Sequence, residues 1–158
     1  MPTERIETLL DEQRRFTPPS GFTAQAHVRT TDIYDRARRD PEGYWAEWAK
    51  QLDWSRPWDR VLEWKPPHAK WFLGGKLNAS VNCLDRHIKA GKSDRVALIW
   101  EGEPTDQVRR ITYGELYSDV NKFANVLKRL GVGRGDRAAI YLPMVPEAAG
   151  ALLACARL

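Results

Sequence analysis

Leu116, Val120, Phe123, Leu127 and Leu130 follow one another at intervals of four, three, four and three, the period that lines apolar side chains along one face of a helix. Thr112-Tyr-Gly-Glu115 stands where that helix should begin and has the form of a capping box, while Gly131 supplies a left-handed stop. Upstream, Val96-Ala-Leu-Ile-Trp100 predicts a compact strand, turned by Gly102 to Asp106, with Val108 to Tyr113 as its partner. Downstream, Arg137-Ala-Ala-Ile-Tyr-Leu142 predicts another strand that Pro143 ends. Strand, helix, strand, helix is the order of an α/β domain, here expected with a partly parallel sheet.

The final run, Val145-Pro-Glu-Ala-Ala-Gly-Ala-Leu-Leu-Ala-Cys-Ala-Arg-Leu158, is apolar on nearly every side. Pro146 suits the first helical position, and the run predicts a buried helix with no capping residue after it. A helix of this kind needs protein around it, so the expectation is the front part of a larger protein.

The first half is less regular. A short helix is expected over Glu4 to Arg15, then Phe16-Thr-Pro-Pro-Ser-Gly-Phe22 breaks regular structure, so residues 1–30 are expected to form an extended arm. Asp40-Pro41-Glu42 opens a helix through Tyr44, Trp48 and Leu52. Trp45, Trp48, Trp54, Trp58, Trp64 and Trp71 lie among Pro57, Pro66 and Pro67 without a steady period, which predicts an irregular strap over residues 41–72 held down by ring burial. Stacking platforms for bases or sugars are the rival reading, but base-stacking surfaces come with interleaved basic residues on a sheet or groove. Lys70 to Asn78 predicts a hairpin around Gly74-Gly75, and Asn78 then caps a helix through Val81, Leu84 and Ile88 that stops at Gly91.

Composition changes this picture little. The 158 residues are 42% hydrophobic and 29% charged with net charge +4, and basic and acidic residues are interspersed, which points to a solvated surface and not to a nucleic-acid or membrane patch. Cys83 and Cys155 sit in helical patterns and imply no disulfide framework. The N-terminus has no signal-peptide stretch and the last apolar run is too short to span a bilayer, so the cytoplasm is expected.

Three groups of residues invite chemistry. Gly131-Val-Gly-Arg-Gly135-Asp136 resembles a phosphate loop, but its glycines leave a helix and enter a strand, the reverse of the required order, and read as a turn. Cys83 and His87 have the spacing of two metal ligands without a matching pair in His27, His68 or Cys155; Asp85 and Arg86 between them are expected to cap or pair on their own helix. Glu101, Glu103 and Asp106 gather at a turn and read as a solvated loop. The residues taken alone supply no catalytic, cofactor-binding or metal-binding set.

Pro41-Glu-Gly-Tyr-Trp-Ala-Glu, Trp54-Ser-Arg-Pro-Trp-Asp59, Lys70-Trp-Phe-Leu-Gly-Gly-Lys-Leu-Asn-Ala-Ser-Val-Asn-Cys-Leu-Asp-Arg-His87, Ala97-Leu-Ile-Trp-Glu-Gly102 and Tyr141-Leu-Pro-Met-Val-Pro-Glu-Ala closely resemble the opening of AMP-forming acetyl-CoA synthetases. The likeness begins near Thr31. Ile111-Thr-Tyr-Gly-Glu-Leu and Gly135-Asp136 are similar to acyl-adenylate-forming enzymes more widely.

The resemblance implies an arm over 1–30, an acetyl-CoA-synthetase-type N-terminal region over 31–92, and over 93–158 the start of a large AMP-binding α/β domain, incomplete. It implies a ligase in which acetate attacks the α-phosphate of ATP and the CoA thiol then displaces AMP, with Mg²⁺ and basic groups spreading phosphate charge. The family's phosphate loop, acyl pocket, hinge aspartate and catalytic lysine have no counterpart before Leu158. No residue is therefore assigned a catalytic, cofactor or metal role, and the isolated chain is expected to be inactive, with the remainder of the enzyme as its implied partner. A propionyl- or other short-chain acyl-CoA synthetase, and a non-catalytic module that grips a partner through the Trp/Pro strap, are the alternatives.

Overall fold

The computed structural model describes residues 14–104 and 106–158. The helix expected over Glu4 to Arg15 falls almost wholly outside these residues, and Arg14 and Arg15 are in no regular element. The chain divides into two compact units, residues 1–41 and 42–158.

The first unit carries α1 (Ser20–Gln25) and α2 (Asp32–Arg39), neither with a buried residue. Ser20–Gln25 is helical where an extended arm was expected: Pro18 and Pro19 end before the helix starts, and the Thr23 amide donates to the Pro19 carbonyl at 3.1 Å. The second helix was not foreseen. Its acidic first turn, with Asp32 and Asp35, and its basic last turn, with Arg38 and Arg39, suit the helix dipole.

α3 (Pro41–Ala49) starts at the expected proline. Beyond it the tryptophan-rich segment is not an irregular strap, because most of it pairs. β1 (Trp54–Arg56) runs antiparallel to β4 (Lys76–Leu77), and β2 (Arg60–Lys65) runs antiparallel to β3 (His68–Leu73) in the register Leu62↔Trp71, Trp64↔Ala69. Prolines permit this by sitting outside the ladders: Pro66-Pro67, joined by a cis bond, lie between β2 and β3. The hairpin turn is thus at the prolines. Gly74-Gly75 instead links β3 to β4, with Gly74 at φ 77°.

Residues 79–89 form one helix as expected from Asn78, whose Oδ1 accepts from the Val81 amide at 3.1 Å. Its middle, Val81–Asp85, is a π turn, and its end is α4 (Arg86–Lys89). Gly91 closes it at φ 70°. β5 (Val96–Glu101) and β6 (Val108–Thr112) make the predicted antiparallel pair. α5 (Tyr113–Arg129) has both bonds of its capping box, and the Val132 and Gly131 amides donate to the Leu127 and Lys128 carbonyls, each at 3.0 Å, which is a Schellman ending. α6 (Pro146–Arg157) completes the fold with Pro146 at its first turn.

Helices and strands are mixed, as an α/β reading requires. All ladders among the described residues are antiparallel pairs, so the parallel element of the expectation is not formed here. Residues 137–142, expected as a strand, lie in no ladder, and Tyr141 and Met144 are fully or almost fully exposed. A strand needs a partner edge to satisfy its amides, and none of the three sheets meets this segment.

The core gathers Leu84, Leu116, Val120, Ala124 and Ala154, with Ala97, Ile111 and Leu153 packed against it. Ala124 rather than Phe123 takes the inner position on α5, where small side chains let α6 approach; Phe123 is 40% exposed.

Candidate functional site

Elements far apart in sequence meet at the last turn of α6, around a cluster of polar groups. Arg157 makes two parallel guanidinium contacts to the Asp85 carboxylate, Nη1 to Oδ1 at 3.2 Å and a shorter one from Nη2 to Oδ2. Both side chains are only 18% exposed. The guanidinium carbon also lies 5.3 Å from the centre of the Tyr117 ring, a cation–π distance. Asn78 completes the cluster, its Nδ2 donating to the Ala156 carbonyl at 2.9 Å and to the Arg157 carbonyl at 3.4 Å. One asparagine therefore opens the helix of residues 79–89 and closes α6.

This cluster corrects one expectation: Asp85 pairs across the fold and not on its own helix. Arg86 also leaves its helix, donating from Nη1 to the Gln51 carbonyl at 3.0 Å. The signal for Arg157 was a lone charge at the end of an apolar helix, which requires a buried partner; the identity of that partner depends on tertiary packing.

Side chains of the same region tie the tryptophan-rich segment down. Asn82 accepts from the Asp53 amide at 2.8 Å and donates to the Asp53 carbonyl at 3.0 Å, and Trp54 Nε1 donates to the Ala49 carbonyl at 2.7 Å. Trp54, Trp58 and Phe72 pack ring to ring at 5.0–5.6 Å. Ring contacts among these three thus help hold the segment in addition to strand pairing, but the expected ring burial is not found across it: Trp45, Trp48, Trp64 and Trp71 are exposed, and Trp54 and Trp58 are only partly buried. At the other end of α6, Trp100 Nε1 donates to the Met144 carbonyl at 2.6 Å, and Arg109, opposite Trp100 on β6, reaches Glu147 at 2.7 Å.

The groups singled out in the sequence are not brought together. Gly131 to Asp136 form a turn, with the Gly133 amide donating to Asp136 Oδ2 at 2.8 Å. Cys83 is exposed, whereas His87, one turn on, lies against Tyr113 with ring centres 4.7 Å apart. Burial, and then the charges of Arg86, Lys92 and Arg95, push the His87 pKa below the ordinary histidine value. Glu101, Glu103 and Asp106 are all exposed around the β5–β6 turn. Among the described residues no three His, Cys, Asp or Glu side chains are placed to hold a metal ion, and no helix is long and apolar enough to cross a membrane.

Comparison with known proteins reads the same join from the sequence side. Residues 30–83 match the family model described as the acetyl-coenzyme A synthetase N-terminus, and residues 84–158 match that of the AMP-binding enzymes. An acetyl-coenzyme A synthetase of Gemmatimonas aurantiaca is 57% identical over 153 residues, which is 97% of this chain and 23% of the relative. Those of Rubrobacter xylanophilus and Streptomyces avermitilis are 54% and 52% identical, covering 92% and 100% of this chain and 22% and 24% of theirs. The chain thus spans about a quarter of the length of the curated relatives it matches. With the two matches lying end to end over residues 30–158, the chain belongs to the acetyl-coenzyme A synthetase family of AMP-binding enzymes.

Proposed function

We propose that this chain is the N-terminal part of an AMP-forming acetate–CoA ligase, an enzyme that joins acetate to CoA through acetyl-adenylate and releases AMP and pyrophosphate. The observation that carries the reading is the continuity of the two family matches at residues 83 and 84. The bonds from Asn78 to the Ala156 and Arg157 carbonyls support it, because they tie the synthetase-specific part to the AMP-binding part across that boundary.

In this reading residues 1–30 are an arm, 31–92 the synthetase-type N-terminal region and 93–158 the start of the AMP-binding domain. ATP, CoA, Mg²⁺ and acetate are ligands of the whole enzyme, which acts in the cytoplasm. No residue of this chain is assigned to any of them: among the described residues no three His, Cys, Asp or Glu side chains gather as a metal site would need, and the glycine cluster leaves a helix instead of entering one.

A chimera tests this. Residues 1–158 replace the matching quarter of the Gemmatimonas relative, and acetate-dependent ATP–pyrophosphate exchange and CoA acetylation are measured for the chimera and for the isolated chain. Activity in the chimera and none in the isolated chain is the expected pair of results. Exchange by the isolated chain, or a folded chimera without activity, overturns the reading.

A further inference from the structure

An apolar cavity of about 440 Å³ is lined by Trp45, Trp48 and Leu52, from α3 and the turn after it, by Phe72 of β3 and by Arg86. Trp45 and Trp48 are 48% and 42% exposed, so two indoles border it with much of their surface uncovered. Arg86 is the only charged residue among the described residues that line it.

Phe72 reaches this cavity through a strained backbone. Consecutive residues of a strand point to opposite faces, yet the Trp71 and Phe72 ring centres are 6.0 Å apart. The cause is a left-handed φ of 52° at Phe72, a conformation that costs energy in a residue with a bulky side chain. Ring contacts with Trp54 and Trp58 hold it there.

Arg86 is half-buried, and among the described residues its side chain makes one hydrogen bond, Nη1 to the Gln51 carbonyl at 3.0 Å, and no ion pair. Its neighbour Asp85 is taken by Arg157. The Nε and Nη2 edge of the guanidinium is therefore left over, a planar pair of donors that matches the two oxygens of a carboxylate. A cation in apolar surroundings is stabilised by an anion that meets it there, and the indoles favour a flat apolar body on that anion. Apolar walls, aromatic faces and one polar group that fixes orientation are the makings of a small-molecule site.

We propose that this cavity binds an aromatic carboxylate of one or two rings, with the carboxylate on the Arg86 fork and the rings against Trp45, Trp48 and Phe72. The site is independent of the ligase reading: acetate carries a single methyl group and would leave the cavity unfilled.

Two probes of one shape test this, 2-naphthylacetate and its uncharged amide. Each is titrated at neutral pH into the 158-residue chain while the indole N–H signals of Trp45, Trp48 and Trp100 are followed by NMR. Expected are saturable shifts at Trp45 and Trp48 with little at Trp100, and binding of the acid about tenfold tighter than that of the amide, or more. In Arg86→Gln, which keeps a donor for the Gln51 carbonyl, the two probes should bind alike; a merely structural Arg86 would instead weaken both and leave their ratio unchanged. Trp48→Leu should weaken both together. No binding of the acid, equal affinity of the two probes for the parent chain, or a preference for the acid that survives in Arg86→Gln overturns the proposal. So do shifts at Trp100 as large as those at Trp45 and Trp48. Movement of the Trp45 and Trp48 signals with chain concentration alone would put a second copy in the cavity, and overturns it too. If Arg86→Gln fails to fold, the acid-to-amide ratio in the parent chain decides alone.

Discussion

Arg157 and Asp85 show how little freedom a half-buried charge has. Removing one partner leaves the other with its hydrogen bonds unmade in a site that water reaches poorly, and such losses run to about 3 kcal/mol. Asp85→Ala should therefore lower the unfolding free energy by about that amount, seen as a lower urea midpoint, while a paired replacement of Asp85 and Arg157 by leucine should recover most of it. A double replacement as unstable as the single one would show that the geometry of the ion pair, and not the stranded charge, is what matters. Gly75 is constrained by shape instead. A Cβ there would stand 2.5 Å from the Trp54 ring, and that ring is fixed by its bond to Ala49 and by Trp58 and Phe72. Gly75→Ala is expected to cost about 1–3 kcal/mol, visible as a lowered melting temperature.

Helix α5 is the element most fully specified by its own residues. Thr112 and Glu115 close its start with three hydrogen bonds, and Thr112→Ala should remove about 1 kcal/mol of stability. The Thr112 amide, followed by its hydroxyl, holds the Glu115 carboxyl below the usual carboxylate range, and the Arg109 contact does the same to Glu147 at the start of α6. For both groups the folded pKa lies under the unfolded one, so their contribution is present above the unfolded value and is lost as pH falls through the folded value. Melting temperature should decline on that acid limb, and less steeply in Glu115→Gln than in the parent chain. An identical limb would remove Glu115 from the account.

Legibility followed the range of the interactions. The box and the Schellman ending of α5, the Asn78 start, the Gly91 stop and the β5–β6 pair were readable because each is closed by residues a few positions apart. The hairpin at Pro66-Pro67 was misplaced because Gly74-Gly75 carries the stronger local turn signal, whereas register came from pairing Leu62 with Trp71. Residues 137–142 have the composition of a strand and no edge to join. The cluster at Arg157 was invisible for the opposite reason: its members are 72 and 79 positions apart, and no period links them.

At the scale of the molecule, much apolar surface is uncovered. Tyr141 and Met144 are 102% and 92% exposed, and Leu130, Leu152 and Ile99 are each at 60% or more. Surfaces of this extent on a free chain bind dye and associate. The isolated chain is expected to bind an environment-sensitive dye in its native state and to sediment with a concentration-dependent average mass. A sharp melt without native-state dye binding would contradict this.

The π turn at Val81–Asp85 has a geometric consequence for everything C-terminal to it. Relative to an α-helix, one π turn holds an additional residue, and each helical residue corresponds to about 100° of rotation. Wound as plain α-helix, positions 78 and 85 would lie within about 20° of one another around the axis; the π turn takes up one more residue and swings Asp85 round from that line. The π turn is thus a phase adjuster, setting the direction from which Asp85 meets Arg157 separately from the Asn78 cap on α6. Deleting one residue from within this turn, ahead of Asp85, would restore regular pitch and leave the residues beyond it facing as they now do, so the Asp85–Arg157 pair should survive the loss of a residue, an outcome that the Asn78 cap alone could not predict.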